Sequence, residues 1–172
     1  QHTVEYYQGR MLKIYGKEFK TEIEFIATGK NKLSYRGDAT LKIYLLENQP
    51  HKKQILEIQR FLLRFTEKYF LPELQKRTLY WNDIYFKERI EKVDVKHTIS
   101  RWGSCSSSRK ISFATKLLLL PQIIIDYVII HELAHLKEMN HSPKFWKHVE
   151  NVMPDYKTHR KWLQQNGSKI HF

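Results

Sequence analysis

The chain has 172 residues, 41% of them apolar and 13% aromatic, enough for one substantial core, and no Gly/Ser linker or low-complexity tract divides it, so a single domain over residues 1–172 is expected. Its single cysteine, Cys105, excludes an intrachain disulfide and suits a reducing, cytoplasmic setting. A formal charge of +12, from 30 Lys and Arg against 18 Asp and Glu, favours encounter with polyanions, but the basic residues are spread over the whole chain, so nucleic-acid association through a basic surface is a secondary expectation.

Residues 1–50 read as strand-rich. Met11 to Tyr15, Phe19 to Ile26 and Thr40 to Leu46 alternate apolar and polar side chains between Gly9, Gly16, Gly29 and Gly37, which predicts short antiparallel strands. From Lys53 to Leu71 apolar residues recur at helical spacing, with Ile55, Ile58, Phe61, Leu62, Phe65 and Tyr69 on one stripe. The stripe holds no convergent polar group and predicts a core-packing helix over about 53–71 that Pro72 interrupts. Val93 to Ser100 and Lys110 to Leu118 predict two further strands joined by a loop carrying Arg101-Trp102-Gly103-Ser104-Cys105-Ser106. The longest apolar stretch, Leu117 to Ile130, is broken by Pro121, Gln122 and Asp126 and falls short of a membrane span. No secretory leader is read in the residues given, which start at Gln1 without Met, and no membrane association is expected.

The next segment carries chemistry. His131-Glu132-Leu133-Ala134-His135 places two histidines four residues apart, hence on one helical face, where both imidazoles reach one ion. Glu132 sits between them, where a carboxylate can touch a metal-bound water without ligating the metal. Ile123 to Ile130 leads into this motif as a strongly apolar run without Gly or Pro, as a buried helix would. A third ligand is required. Glu138 lies roughly 10 Å along a straight helix from His131 at about 1.5 Å per residue, too far to share a point with it. His141 is the better candidate, because Asn140 can adopt the left-handed conformation that ends a helix and Pro143 prevents its continuation; His148, Glu138 and Glu150 are the alternatives.

Taken together, the Arg101–Ser106 segment, Pro121, Asp126 to Leu136, Asn140-His141-Ser142 with Phe145-Trp146, Pro154-Asp155-Tyr156 and Trp162-Leu163 resemble the YgjP-like metallopeptidase family. The likeness is close over residues 93–166 and weaker upstream. It implies an α+β, zincin-like domain related to SprT-like proteases: an antiparallel strand-rich N-terminal part, a sheet packed on the HExxH helix and a helical C-terminus. It also implies Zn2+ as cofactor, with His131, His135 and His141 as ligands, Glu132 as the catalytic carboxylate and a peptide or protein as substrate. The family commonly has Asn where Ala114 stands here. The histidine spacing also matches metzincins, but their turn glycine is replaced by Glu138, so Met153 is not read as a Met-turn.

Such a site predicts hydrolysis by a zinc-activated water, with Glu132 as general base. A second transition-state donor is sought among Arg101, His148, Tyr156 and His159. Three competing readings follow from the same residues. A metal-dependent nucleotide or phosphoester hydrolase would use the same water, a nucleic-acid-binding module would hold a structural zinc, and Cys105 as a fourth ligand would close the site.

Overall fold

The computed structural model describes residues 3–172, which divide into two units; the boundary falls between Phe65 and Thr66, with Phe172 joining the first. In the first unit a one-turn helix α1 (Val4–Tyr7) precedes strands β1 (Met11–Ile14), β2 (Lys17–Ile26), β3 (Lys32–Tyr35) and β4 (Thr40–Leu46). Between β1 and β2, Tyr15 and Gly16 both take positive φ, 48° and 79°, the backbone of a tight two-residue hairpin turn. The sheet order is β1-β2-β4-β3. The β1–β2 pair is antiparallel as expected and the β3–β4 pair is antiparallel too, but β2 and β4 run parallel, with Lys20 opposite Thr40 through Ile26 opposite Leu46. Side-chain alternation has period two whatever the partner's direction, so it located the strands and not their orientation. The unpredicted β3 lies in the connection that returns the chain for a parallel β4.

The inward side chains of this sheet, Leu12, Ile14, Phe19, Leu41, Ile43 and Leu45, are buried, as are Ile58, Leu62 and Phe65 of helix α2 (His51–Trp81). Phe19, Tyr35 and Phe65 form an edge-to-face triangle with centroids 5.0 to 6.0 Å apart. Helix α2 continues past the expected end at Leu71 to Trp81 and contains Pro72. Pro72 and Lys68, whose carbonyl loses a donor, are both exposed, so water can satisfy that carbonyl. Phe70, Leu74 and Thr78 keep one buried face across the proline, and that burial outweighs the lost bond.

The second unit begins within α2 and continues through a π-helical turn (Asn82–Phe86) to β5 (Lys92–Lys96), β6 (Gly103–Cys105) and β7 (Lys110–Ala114). Its sheet order is β5-β7-β6, with β5–β7 parallel and β6–β7 antiparallel. Three elements depart from expectation, the first being the strand expected over Val93 to Ser100, which ends at Lys96. The expected loop around Gly103 contains a short edge strand, and the expected strand over Lys110 to Leu118 stops at Ala114, where a 3-10 turn (Thr115–Leu119) takes over. Leu117, Leu118 and Leu120 remain buried in this turn, as Ile111 to Ala114 are on both faces of β7, so their apolar run alone did not distinguish strand from turn.

Helix α3 (Gln122–Ala134) starts behind Pro121 and is buried nearly all round. Its buried Asp126 accepts a bidentate pair from Arg77 at 2.7 and 2.8 Å, together with bonds from Trp81 Nε1 and Gln122 Nε2. A carboxylate in an apolar helix is tolerable on these terms, because each oxygen has a donor. Helices α4 (Pro143–Val152) and α5 (Tyr156–Asn166) pack on α3. Among the described residues no helix is long and apolar enough to cross a membrane.

Candidate metal centre

Helix α3 ends at Ala134, one residue short of His135, which sits at the C-cap position with αR backbone. The turn closes through the N–H groups of Leu136, Lys137 and Glu138, which donate to the carbonyls of Leu133 and Ala134. Asn140 does not take the expected left-handed conformation; the described non-glycine residues with positive φ are Tyr15, Lys87 and Arg109. Ser142 instead restarts the chain as the N-cap of α4, its hydroxyl accepting from Phe145 N–H, with Pro143 at the first helical positions. His141 is thereby held between two helix ends.

The result brings His131, His135 and His141 together, one nitrogen from each lying within 4.8 Å of the others. The Nε2 atoms of His135 and His141 are 3.1 Å apart, as are those of His141 and His131. Around a tetrahedral zinc with nitrogen ligands at about 2.0–2.1 Å, two ligand nitrogens are separated by roughly 3.3–3.4 Å, so the triad has the spacing of a three-histidine metal site. The tautomer agrees. His135 Nδ1 lies 3.1 Å from the Glu138 carbonyl, which fixes the ring proton there and leaves a lone pair on Nε2. Burial, then the neighbouring imidazoles and the Arg160 charge, push His131 down to about 3, and burial lowers His135 as well. Both are therefore neutral, the form that binds a metal ion.

Phe145, fully buried on α4, is the floor of the site: its ring centroid lies 4.9, 4.4 and 4.8 Å from those of His131, His135 and His141. Trp146 stacks on His141 with centroids 5.8 Å apart, and Tyr156 stacks on Trp146 at 5.2 Å. Tyr127, one helical turn before His131, makes an edge contact to that ring at 6.1 Å.

Glu132 is buried and rests against the backbone of edge strand β6. A methyl group placed on Gly103 would lie 2.6 Å from Glu132 Oε1 and 2.7 Å from its Cγ, so only glycine leaves room for this carboxylate. Burial pushes the Glu132 carboxyl up to about 8, while the Arg101 charge acts in the opposite sense.

Other residues weighed from the sequence fall outside the cluster. Glu138 pairs with Lys144 at 3.9 Å and Glu150 with Lys147 at 3.3 Å, and neither they nor His148 joins the triad. Cys105 is also outside it; burial and the nearby Glu132 charge push its thiol up to about 11. His159 Nε2 is bonded to Asp155 at 3.0 Å. Trp102 carries Lys116 Nζ over its ring at 4.3 Å and packs against Gly167, which steadies the segment leading into β6. The sequence reading missed Gly103, Phe145 and Arg160 as site residues. Gly103 had been read as part of a loop, and Phe145 had entered only as part of the family-resembling motif, so neither was singled out for the site.

A family model described as "YgjP-like, metallopeptidase domain" matches residues 1–166. Among solved structures, the metallopeptidase zymogen of Pyrococcus abyssi abylysin is similar, 28% identical with a TM-score of 0.49, over 54% of this chain and 93% of that one. The metallopeptidase zymogen of Methanocaldococcus jannaschii jannalysin is 18% identical with a TM-score of 0.48, over 54% of this chain and 95% of that one. No curated protein matches the chain.

Proposed function

The chain belongs to the YgjP-like metallopeptidase family, and we propose that residues 1–172 act as one zinc-dependent peptidase domain, with His131, His135 and His141 as ligands and Glu132 as general base. The observation that carries this reading is the meeting, at the C-terminal end of α3, of a three-nitrogen cluster with a buried carboxylate that abuts an edge strand. Zinc bound there supplies a Lewis acid for the scissile carbonyl and lowers the pKa of a water from 15.7 to roughly 7.

The protein's own groups do the rest. Phe145 keeps the three imidazoles apart from bulk water on one side and fixes their relative orientation. Strand β6 pairs only with β7 among the described strands, so its outer edge can take an extended peptide by main-chain hydrogen bonds. A peptide laid there passes the Glu132 carboxylate at Gly103. Glu132 takes the proton of the attacking water and returns it to the leaving amine. Arg101, whose charge reaches Glu132, and Tyr156, stacked beside the triad, are the better placed of the four polar groups considered for stabilising the oxyanion. A lone free thiol suits a cytoplasmic setting.

Glu132→Gln tests the mechanism. The variant is expected to keep one zinc per chain and to lose about 10²- to 10⁴-fold in peptide hydrolysis; undiminished turnover would remove Glu132 from the chemistry. X-ray absorption at the zinc edge tests the ligands: neighbours at roughly 2.0–2.1 Å are nitrogen or oxygen, whereas sulfur at about 2.3 Å would bring Cys105 to the metal.

A further inference from the structure

The second unit contains five arginines, and their pairing separates them. Arg77 holds Asp126, Arg89 holds Glu91 and Arg109 holds Glu88, at 2.5 to 2.9 Å. Arg101 and Arg160 pair with no carboxylate among the described residues, and these are the two whose charges reach the metal centre, Arg101 at Glu132 and Arg160 at His131. Arg160 is the more firmly placed. Tyr156 and Arg160 are four residues apart on α5 and so share a face, and both lie on Trp146: the Tyr156 ring is 5.2 Å away and nearly parallel, and the guanidinium carbon is 4.7 Å from the indole centroid. Trp146 in turn stacks on the ligand His141. Helix α5 itself carries no acid, and Asp155 at its N-cap, the acid nearest in sequence, is already engaged by His159.

Arg160 is exposed, its guanidinium carbon lies over the indole and no carboxylate among the described residues engages it, so its N–H donors are available to receive a carboxylate, bidentately where the approach allows. We propose that Arg160 is the carboxylate receptor of the substrate site, so that this peptidase favours peptides presenting a carboxylate beside the scissile bond. The inference rests on the peptidase reading above. The same chemistry is offered by an acidic side chain and by a free C-terminus, and the substrate panel separates them.

Zinc-loaded Glu132→Gln protein, which binds without turning over, would be titrated calorimetrically with three peptides of one backbone: C-terminally amidated with Gln, amidated with Glu, and neutral with a free C-terminus. At least one carboxylate-bearing peptide is expected to bind roughly tenfold more tightly than the neutral one, the effect of a partly solvated charge-assisted bond. Whichever does identifies the source of the carboxylate. Adding Arg160→Ala should bring that ratio to about one, Arg160→Lys should restore part of it, and Lys161→Ala, one residue along the same helix, should leave it intact. Equal affinities for all three peptides, or a preference that survives both Arg160 substitutions, would overturn the proposal. The two readings fail separately: a wild type that cleaves none of the peptides while the Arg160-dependent preference persists would refute the peptidase and keep the receptor. Cleavage of all three with equal kcat/KM and equal affinity would do the reverse.

Discussion

Two clusters of rings, built by the same packing rules, divide the molecule's labour. In the first unit Phe19, Tyr35 and Phe65 meet edge to face around an apolar sheet core, and nothing in that cluster offers a lone pair to an ion. In the second, Phe145 makes still closer contacts to three rings, but those rings are imidazoles whose nitrogens converge. Aromatic packing is the shared structural device; the identity of the ring atoms decides whether the product is a core or a candidate metal centre. The same contrast explains how His135 can be buried and His131 half-buried, while His141 stays exposed. Neutral imidazoles pack as flat, weakly polar rings, and a bound cation satisfies the nitrogens that packing alone leaves facing one another.

Removing the central phenylalanine from each cluster puts this contrast at greatest risk. Phe65→Ala and Phe145→Ala are both expected to cost about 3–5 kcal/mol in denaturant unfolding. Only Phe145→Ala should also weaken zinc binding in a chelator competition, since only that ring orients ligands. Equal zinc affinities in the two variants would show that the imidazoles hold their geometry without the floor.

A smaller change in free energy falls on activity more than on fold. Gly103→Ala puts a methyl group against Glu132 and should lower kcat by roughly 10²-fold, the scale of a misplaced catalytic group, while the zinc content stays at one per chain. Wild-type kinetics in this variant would mean that Glu132 can swing aside without consequence. No equivalent close approach is found in the first unit: glycines 9, 16 and 37 would have open space around an added methyl group and are there for their positive φ.

The smallest expected effect is electrostatic. Hydrogen bonding from Arg109 and then from Lys137, in the turn after His135, holds the Glu88 carboxyl below its ordinary 4.5. A lowered native-state value stabilises the fold above pH 4.5, and that contribution disappears as pH falls through the native-state value. The unfolding free energies of wild type and Glu88→Gln from urea titrations should accordingly differ by under about 1 kcal/mol at neutral pH and converge in acid. A difference independent of pH would assign Glu88 a packing role instead.

Much of the site was legible because its key distances are local. His131 and His135 share a face by helical periodicity alone, and Glu132 falls between them for the same reason. His141 followed from the need to turn the chain, although the turn is made by His135 and Ser142 and not by a left-handed Asn140. The strand-rich start and the long helix were visible in their alternation and periodicity, whereas the parallel pairing of β2 with β4 and the passage of α2 through Pro72 were not. Both of those depend on which faces are buried, which no window of neighbouring residues reports.

Residue types and separations of a few positions were thus enough to specify the motif-bearing helix, the spacing of its histidines and carboxylate, and the exclusion of an intrachain disulfide. Packing in three dimensions was needed to place Phe145 under all three imidazoles, to set Gly103 where it makes room for Glu132, and to rest the guanidinium of Arg160 on Trp146. Each of those relations joins two different elements, and they are fixed by the summed burial of whole faces of α3, α4, α5 and β6. The chemistry of each residue is local, but its neighbours are chosen by the core.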